Sequence, residues 1–225
     1  MGGNALSYTT VRLTSKNYFR MADHCVEKLR ALYPHGRFEA IQSYASKADF
    51  GDLDILAFDS NFDPHTAAAA LGSVETVRNG SVTSLGIKVN PDLPYLDGNV
   101  FQVDLIYAPL SEFDFSSAYF RFSDLGNLLG RIAHAMGLTL GHDGLTLRMR
   151  DGTHMFANIT LTRDYDQALS FLGYDPSVFA NGFNTLSDIF AYVASSPFFN
   201  PDIFLLENRN NASRTRDRKR PTYTA

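Results

Sequence analysis

The sequence predicts an α+β fold, a mixed β-sheet flanked by helices with a smaller C-terminal lobe. Three observations lead there. One long amphipathic stretch follows Ser15, two near-continuous apolar runs read as buried strands, and two Gly-containing turns sit between β-rich segments. With 225 residues, 44% of them hydrophobic, the chain suits one good-sized domain or a domain with an appendage.

The elements follow in order. Ser15 is the predicted N-cap of a helix running to about Leu32, with Phe19, Ala22, Val26, Leu29 and Leu32 as its apolar stripe. Pro34 and Gly36 end it, and Phe38–Tyr44 then reads as a strand. A polar loop leads to a second strand, Leu53–Phe58. Pro64 opens a short alanine-rich helix. Asn79-Gly80, between β-branched residues, is a strong hairpin signal. After a loop rich in Pro, Asp and Gly (Asn90–Gly98), the segment NVFQVDLIYAP predicts a further buried strand. Ser123 is the expected cap of a helix from about Asp124 to Met136, with Leu125, Leu128, Leu129, Ile132 and Met136 on its apolar face. A hairpin turning at Asp151-Gly152 follows, then a capped helix from about Thr185 to before Pro197. The seam between the two parts is expected just after Met136.

Composition narrows the function classes. No apolar run approaches the roughly 20 residues of a membrane span, and the N-terminus lacks a signal-peptide pattern. Cys25 is the single cysteine, which excludes a disulfide framework and a thiolate zinc site. A cytoplasmic protein with no membrane partner is expected. The net charge is −4, but six basic residues against Asp217 give the last 18 residues +5, leaving −9 for residues 1–207. A body this acidic is no generic nucleic-acid binder.

The informative feature is the placement of three carboxylates. Asp52 and Asp54 interrupt one apolar strand and Asp104 interrupts the other. Alternation puts Asp52 and Asp54 on the same face of their strand. If the strand carrying Asp104 lies beside them, the three converge, and such a cluster repels itself unless a cation neutralises it. Hard divalent ions take oxygen ligands, and Mg²⁺ is commonly held by carboxylates together with substrate phosphates. Gly51, directly before the pair, suits a close approach of phosphate to the backbone.

The segment SYASKADFGDLDIL resembles the catalytic signature of the DNA polymerase beta superfamily of nucleotidyltransferases, with the family X DNA polymerases as the nearest branch. QVDLIYAP is similar to that family's strand bearing the third metal ligand. YFRFSDLGNLLGRIAHAMGLTL resembles its Tyr-Phe-x-Gly-Ser segment and the following helix, and LRMRDG and NTLSDIFAYV resemble parts of its thumb. The resemblance spans roughly residues 38–193. It implies an N-terminal leader and helix (1–37), a nucleotidyltransferase palm (38–137), a thumb-like lobe (138–207) and a basic tail (208–225), with no lyase domain before residue 38.

The resemblance also implies roles. Asp52 and Asp54 would ligate two Mg²⁺ ions, for which Mn²⁺ can substitute. Asp104 would bind the catalytic ion and act as base, or base-positioner, toward a 3′-hydroxyl. Ser43, Ser46, Lys47 and Gly51 would meet the triphosphate of a dNTP or NTP. Tyr119 and Phe120 would lie under its sugar, and Asp124 and Asn127 beside the nascent base pair. Arg131 would reach the template, and Arg148 and Arg150 would also contact the nucleic acid. A monomer acting on a DNA or RNA acceptor is expected. Asp124, Asn127 and Arg131 share one polar stripe at i, i+3 and i+7, which an ordinary solvated helix face also explains. Departures from the family pattern are Gln42-Ser43 in place of Gly-Ser and Phe122 in place of Gly.

Two rival readings remain open at this level. One is a template-independent nucleotidyltransferase acting on RNA or tRNA ends, a small molecule or a protein. The other is a non-catalytic nucleic-acid-binding protein that keeps the fold.

Overall fold

The computed structural model describes residues 5–90, 98–152, 154–208 and 214–215. The leader residues 1–4, the loop 91–97 and most of the basic tail lie outside the described residues. The fold is α+β, with a mixed five-stranded sheet flanked by helices. The chain forms two compact units. The first holds the residues through Ile41 together with Lys47–Phe113, and the second holds Gln42–Ser46 and the chain from Asp114 onward.

The first unit begins with β1 (Leu13–Thr14) and α1 (Ser15–Leu32). Then come β2 (Arg37–Ala40), β3 (Asp49–Phe50), β4 (Asp52–Phe58), α2 (Pro64–Ala70), β5 (Thr76–Asn79), β6 (Val82–Lys88) and β7 (Val100–Tyr107). The sheet order is β2-β4-β7-β6-β5, and β4 and β7 run parallel while the other pairs are antiparallel. The two parallel strands sit inside the sheet, which explains why both are so apolar. Asn79 pairs with Val82 across the expected turn, and Gly80 takes φ +62°, the left-handed conformation such a turn requires. At α2, the Asp63 carboxylate accepts from the Thr66 N–H at 2.8 Å, a side-chain N-cap ahead of Pro64.

Helix α1 has the expected bounds, but its buried stripe is rotated by about one residue. Tyr18, Ala22, Cys25, Val26 and Leu29 are buried, whereas Phe19 is 58% exposed and Leu32 is also exposed. The ring of Tyr18 stacks on Phe50 with centroids 3.8 Å apart, whereas Phe19 meets Phe50 only edge-on at 6.2 Å. Thr14, not Ser15, is the N-cap residue, and the Ser15 hydroxyl instead donates to the Lys47 carbonyl at 2.7 Å. Strand β2 ends at Ala40, short of the expected Tyr44, because the backbone beyond it bonds elsewhere: the Gln42 carbonyl accepts from the Phe122 N–H, and the Ala45 and Ser46 N–H groups donate to the Phe183 and Asn184 carbonyls. The core of this unit joins α1 and α2 to Leu53, Ile55, Leu85, Phe101, Val103 and Leu105.

The second unit contains α4 (Leu125–Ala135), β8 (Leu138–Gly141), β9 (Gly144–Asp151), β10 (His154–Thr162), α5 (Tyr165–Phe171), α6 (Pro176–Asn181) and α7 (Leu186–Ala194). The division from the first unit falls inside α3 (Leu110–Phe120), between Phe113 and Asp114, whereas the sequence reading drew its seam after Met136. Strands β8, β9 and β10 form an antiparallel sheet in the order β10-β9-β8, with Gly152 at φ +55° in the expected hairpin. Thr185 and Asp188 make a reciprocal capping box at the start of α7, as the sequence pattern predicts. At α4 the expectation fails in detail, since Asp124 is the N-cap and no side-chain bond caps the helix. Ser123 sits at φ +63°, outside the extended backbone a capping residue normally takes. Among the described residues, no helix is long and apolar enough to cross a membrane.

Candidate metal centre

Strands β4 and β7 are neighbours in parallel register, with Asp54 opposite Asp104 and Asp52 opposite Gln102. Alternation then sorts the side chains. Leu53, Ile55, Val103 and Leu105 enter the core, and Asp52, Asp54, Gln102 and Asp104 share the other face. One carboxylate oxygen from each of Asp52, Asp54 and Asp104 lies within 4.8 Å of the others. All three residues are half-buried.

The electrostatics record the crowding. The Asp54 carboxyl is pushed up to about 7, first by burial and then by the charges of Asp52 and Asp104, with Lys47 opposing. Burial also raises Asp104, while hydrogen bonds from Ser84 and Gln102 pull it back toward its ionised form. Gln102 Nε2 donates to both oxygens of Asp104, at 3.0 and 2.9 Å. Ser84 stands opposite Asp104 on β6. The donor set is all oxygen, its members lie within reach of a single ion, and the self-repulsion calls for a counter-charge. These residues therefore fit a hard divalent cation, and the cluster is one that could hold a metal ion.

Lys47 belongs to the same surroundings. Burial lowers its ammonium, the charges of Asp52 and Asp54 oppose that shift, and Nζ sits 4.6 Å from the centroid of the Phe50 ring. Gly51 is the single residue between β3 and β4 and is buried. Tyr18 stacks on Phe50, the residue before Gly51, and its hydroxyl is raised first by burial and then by the charges of Asp54 and Asp52. The segment before Gly51 is tied to the residue preceding β1 by a two-pronged ion pair: Arg12 Nε donates to Asp49 at 2.8 Å and Nη2 at 3.0 Å.

The remaining expected site residues lie in the second unit. The Ser43 and Ser123 hydroxyls are 3.5 Å apart, and the Ser46 N–H donates to the Asn184 carbonyl at 2.8 Å. Tyr119 is half-buried, and a Cβ at Gly126 would collide with its carbonyl oxygen. Phe120 stacks on His142 with centroids 5.8 Å apart. Asn127 Nδ2 donates to Asp124 Oδ1 at 3.4 Å. Arg131 is buried, with its guanidinium 5.6 Å from the centroid of the Phe204 ring. Arg148 and Arg150 are exposed on one face of β9, opposite Asn158 and Met155.

Sequence reasoning missed Gln102, Ser84 and Tyr18. For Gln102 a signal existed, because a polar residue two before Asp104 in an apolar strand must share its face. Ser84 carried no such signal, since its place depends on which strand pairs with β7. No family model matches this chain, and no curated protein matches it either.

Proposed function

We propose that this chain is a metal-dependent nucleotidyltransferase of the DNA polymerase beta kind, with a palm-like first unit, that adds nucleotides to a nucleic-acid 3′-hydroxyl and releases pyrophosphate. The observation that carries the reading is the convergence of Asp52, Asp54 and Asp104 from two neighbouring parallel strands. Asp52 and Asp54 would hold two Mg²⁺ ions, and Asp104 would hold one of them. What such ions supply when bound is neutralisation of charge on the attacking and leaving oxygens of an in-line displacement at phosphorus.

The chain's own residues supply the rest. Asp104, oriented by Gln102 and Ser84, is the carboxylate assigned to take the 3′-hydroxyl proton or to position that hydroxyl for its loss. Lys47, beside the acids, offers a cation to the triphosphate. Gly51, buried between β3 and β4, is assigned to the phosphates by the resemblance alone. Tyr119, Phe120, Asp124 and Asn127 are assigned to the sugar and base, and Arg148 and Arg150 to the nucleic-acid backbone.

One observation favours template-independent transfer as a second reading. Arg131, the residue expected to reach the template, is buried against Phe204.

The test is nucleotide addition with Mg²⁺ on primed DNA, single-stranded DNA and RNA, with dNTPs or NTPs, beside Asp104→Ala. Products whose length follows the template and that vanish in the variant support the polymerase reading. Additions that ignore the template select the second reading. Silence on every nucleic acid overturns the polymerase reading and leaves transfer to a small molecule or a protein, or nucleic-acid binding without catalysis.

A further inference from the structure

Gln102 is 3% exposed and stands between two different partners. Its Nε2 donates to both oxygens of Asp104, and its Oε1 accepts from the backbone N–H of Ala5 at 3.0 Å. An ionised carboxylate only accepts and a backbone N–H only donates, so the two ends of the amide are not interchangeable here. With Ala5 in place, Gln102 can present only its NH₂ to Asp104. With Ala5 absent, Nε2 can still donate to Asp104, but the amide loses its second anchor and the side chain is less tightly held.

Ala5 is itself held in position. The Ser7 N–H donates to both carboxylate oxygens of Glu75, at 2.9 and 3.0 Å, and its hydroxyl donates to one of them at 3.0 Å. Between these anchors, a Leu6 methyl lies 3.3 Å from where a Cβ on Gly86 would stand, and Gly86 pairs with Gln102 across β6 and β7. Further on, the Val11 N–H donates to the Val100 carbonyl at 2.8 Å. Residues 5–11 thus form a strap fastened to β6, β7 and the turn before β5.

We propose that the strap acts as a positioning device for the metal centre, in which the Ala5 N–H fixes the Gln102 amide and Gln102 fixes the Asp104 carboxylate for cation binding. Gln102 is a positioning residue, since its contact is with Asp104 and not with substrate. Partners that orient a ligating carboxylate typically contribute 10–100-fold to metal affinity. The inference rests on the triad being the metal site named above.

The experiment measures Mn²⁺ affinity by electron paramagnetic resonance, without nucleotide, on the full chain. Wild type, Asp104→Asn, Gln102→Met, Ala5→Pro, Ala5→Gly and the Ala5→Pro/Gln102→Met double variant are compared. Gln102→Met keeps the side-chain length but cannot donate. Ala5→Pro removes one N–H at an exposed position, and Ala5→Gly keeps it. Circular dichroism and melting confirm that each variant is folded.

Gln102→Met is expected to weaken Mn²⁺ binding about 10–100-fold. Ala5→Pro should weaken it roughly 3–10-fold and Ala5→Gly should leave it unchanged, with the double variant no weaker than Gln102→Met alone. Wild-type affinity in either Ala5→Pro or Gln102→Met overturns the inference. So does an equal Ala5→Pro effect in the Gln102→Met background, which would mean that the strap acts by another route. If wild type and Asp104→Asn bind Mn²⁺ alike, the metal-site reading itself fails, which is a separate result.

Discussion

The two faces of the β4–β7 pair are built from alternate residues of the same strands, yet they do opposite work. Leu53, Ile55, Val103 and Leu105 are at most 1% exposed and pack against α1 and α2, so that face is a source of stability. Asp52, Asp54 and Asp104 crowd like charges onto the other face, where burial raises Asp54 and Asp104 above the ordinary carboxylate range. That face carries a mutual repulsion that a bound cation would relieve. A strand can carry both because its side-chain period is two, so function is added without touching the core.

Substitutions on the acid face and on the apolar face should therefore separate activity from stability. The largest effect is expected from Asp104→Ala. On the proposed reading, nucleotide addition should fall about a thousandfold or more, since several kcal/mol of transition-state stabilisation would go with a bound ion. The melting temperature of the metal-free protein should not fall, because a repelling charge has been removed. A melting loss as large as that of a core variant would mean that the acid face is structural.

Next comes Leu53→Ala, one residue away but facing the core. It should cost about 2–5 kcal/mol of stability, measured by urea unfolding, while activity persists below the new unfolding midpoint. Equal stability in wild type and variant would show that the apolar face has been misread.

A smaller effect is expected from Asp54→Asn, which should stabilise the metal-free protein by roughly 1–3 kcal/mol at pH 8. The sign follows from proton counts. With a folded value near 7 against the ordinary 3.8, the folded protein holds a proton between about pH 4 and 7 that the unfolded chain has released. Metal-free stability therefore falls as pH rises through that window. Mn²⁺ affinity should run the other way and rise with pH toward 7 and above, because the ion needs the carboxylate. Melting curves from pH 5 to 8 should show the slope in wild type and its loss in the variant, and a flat wild-type profile would sink the assignment.

The smallest effect belongs to Arg12→Ala. Its ion pair with Asp49 is solvent-exposed on both sides, so melting should shift by about a degree or less. A sharp loss of nucleotide affinity without that shift would instead show that the pair positions the Lys47–Gly51 segment.

Local pattern carried much of this into the sequence. The three acids stand out because each is a charge inside an apolar run. The Asn79-Gly80 and Asp151-Gly152 turns, the Pro64 helix start and the Thr185 capping box are each short-range signals, legible without a partner. Helix α3 went unread because its surroundings bury polar residues too, with Ser116 and Ser117 both inside, so no clean apolar stripe marks it. Strand β8 and helices α5 and α6, at four to seven residues, are too short to show a period.

By itself, then, the sequence determined which residues carry charge into the strands, and by alternation which of them share a face. Pairing is a different kind of fact. That β4 lies parallel to β7 with Asp54 opposite Asp104, that Tyr18 turns inward in place of Phe19, and that Ala5 reaches Gln102 across 97 positions were decided only in the tertiary structure. The physical reason is range. Side-chain direction along one strand follows from its own backbone, whereas register, stacking and a strap's anchor depend on which distant partner wins the contact.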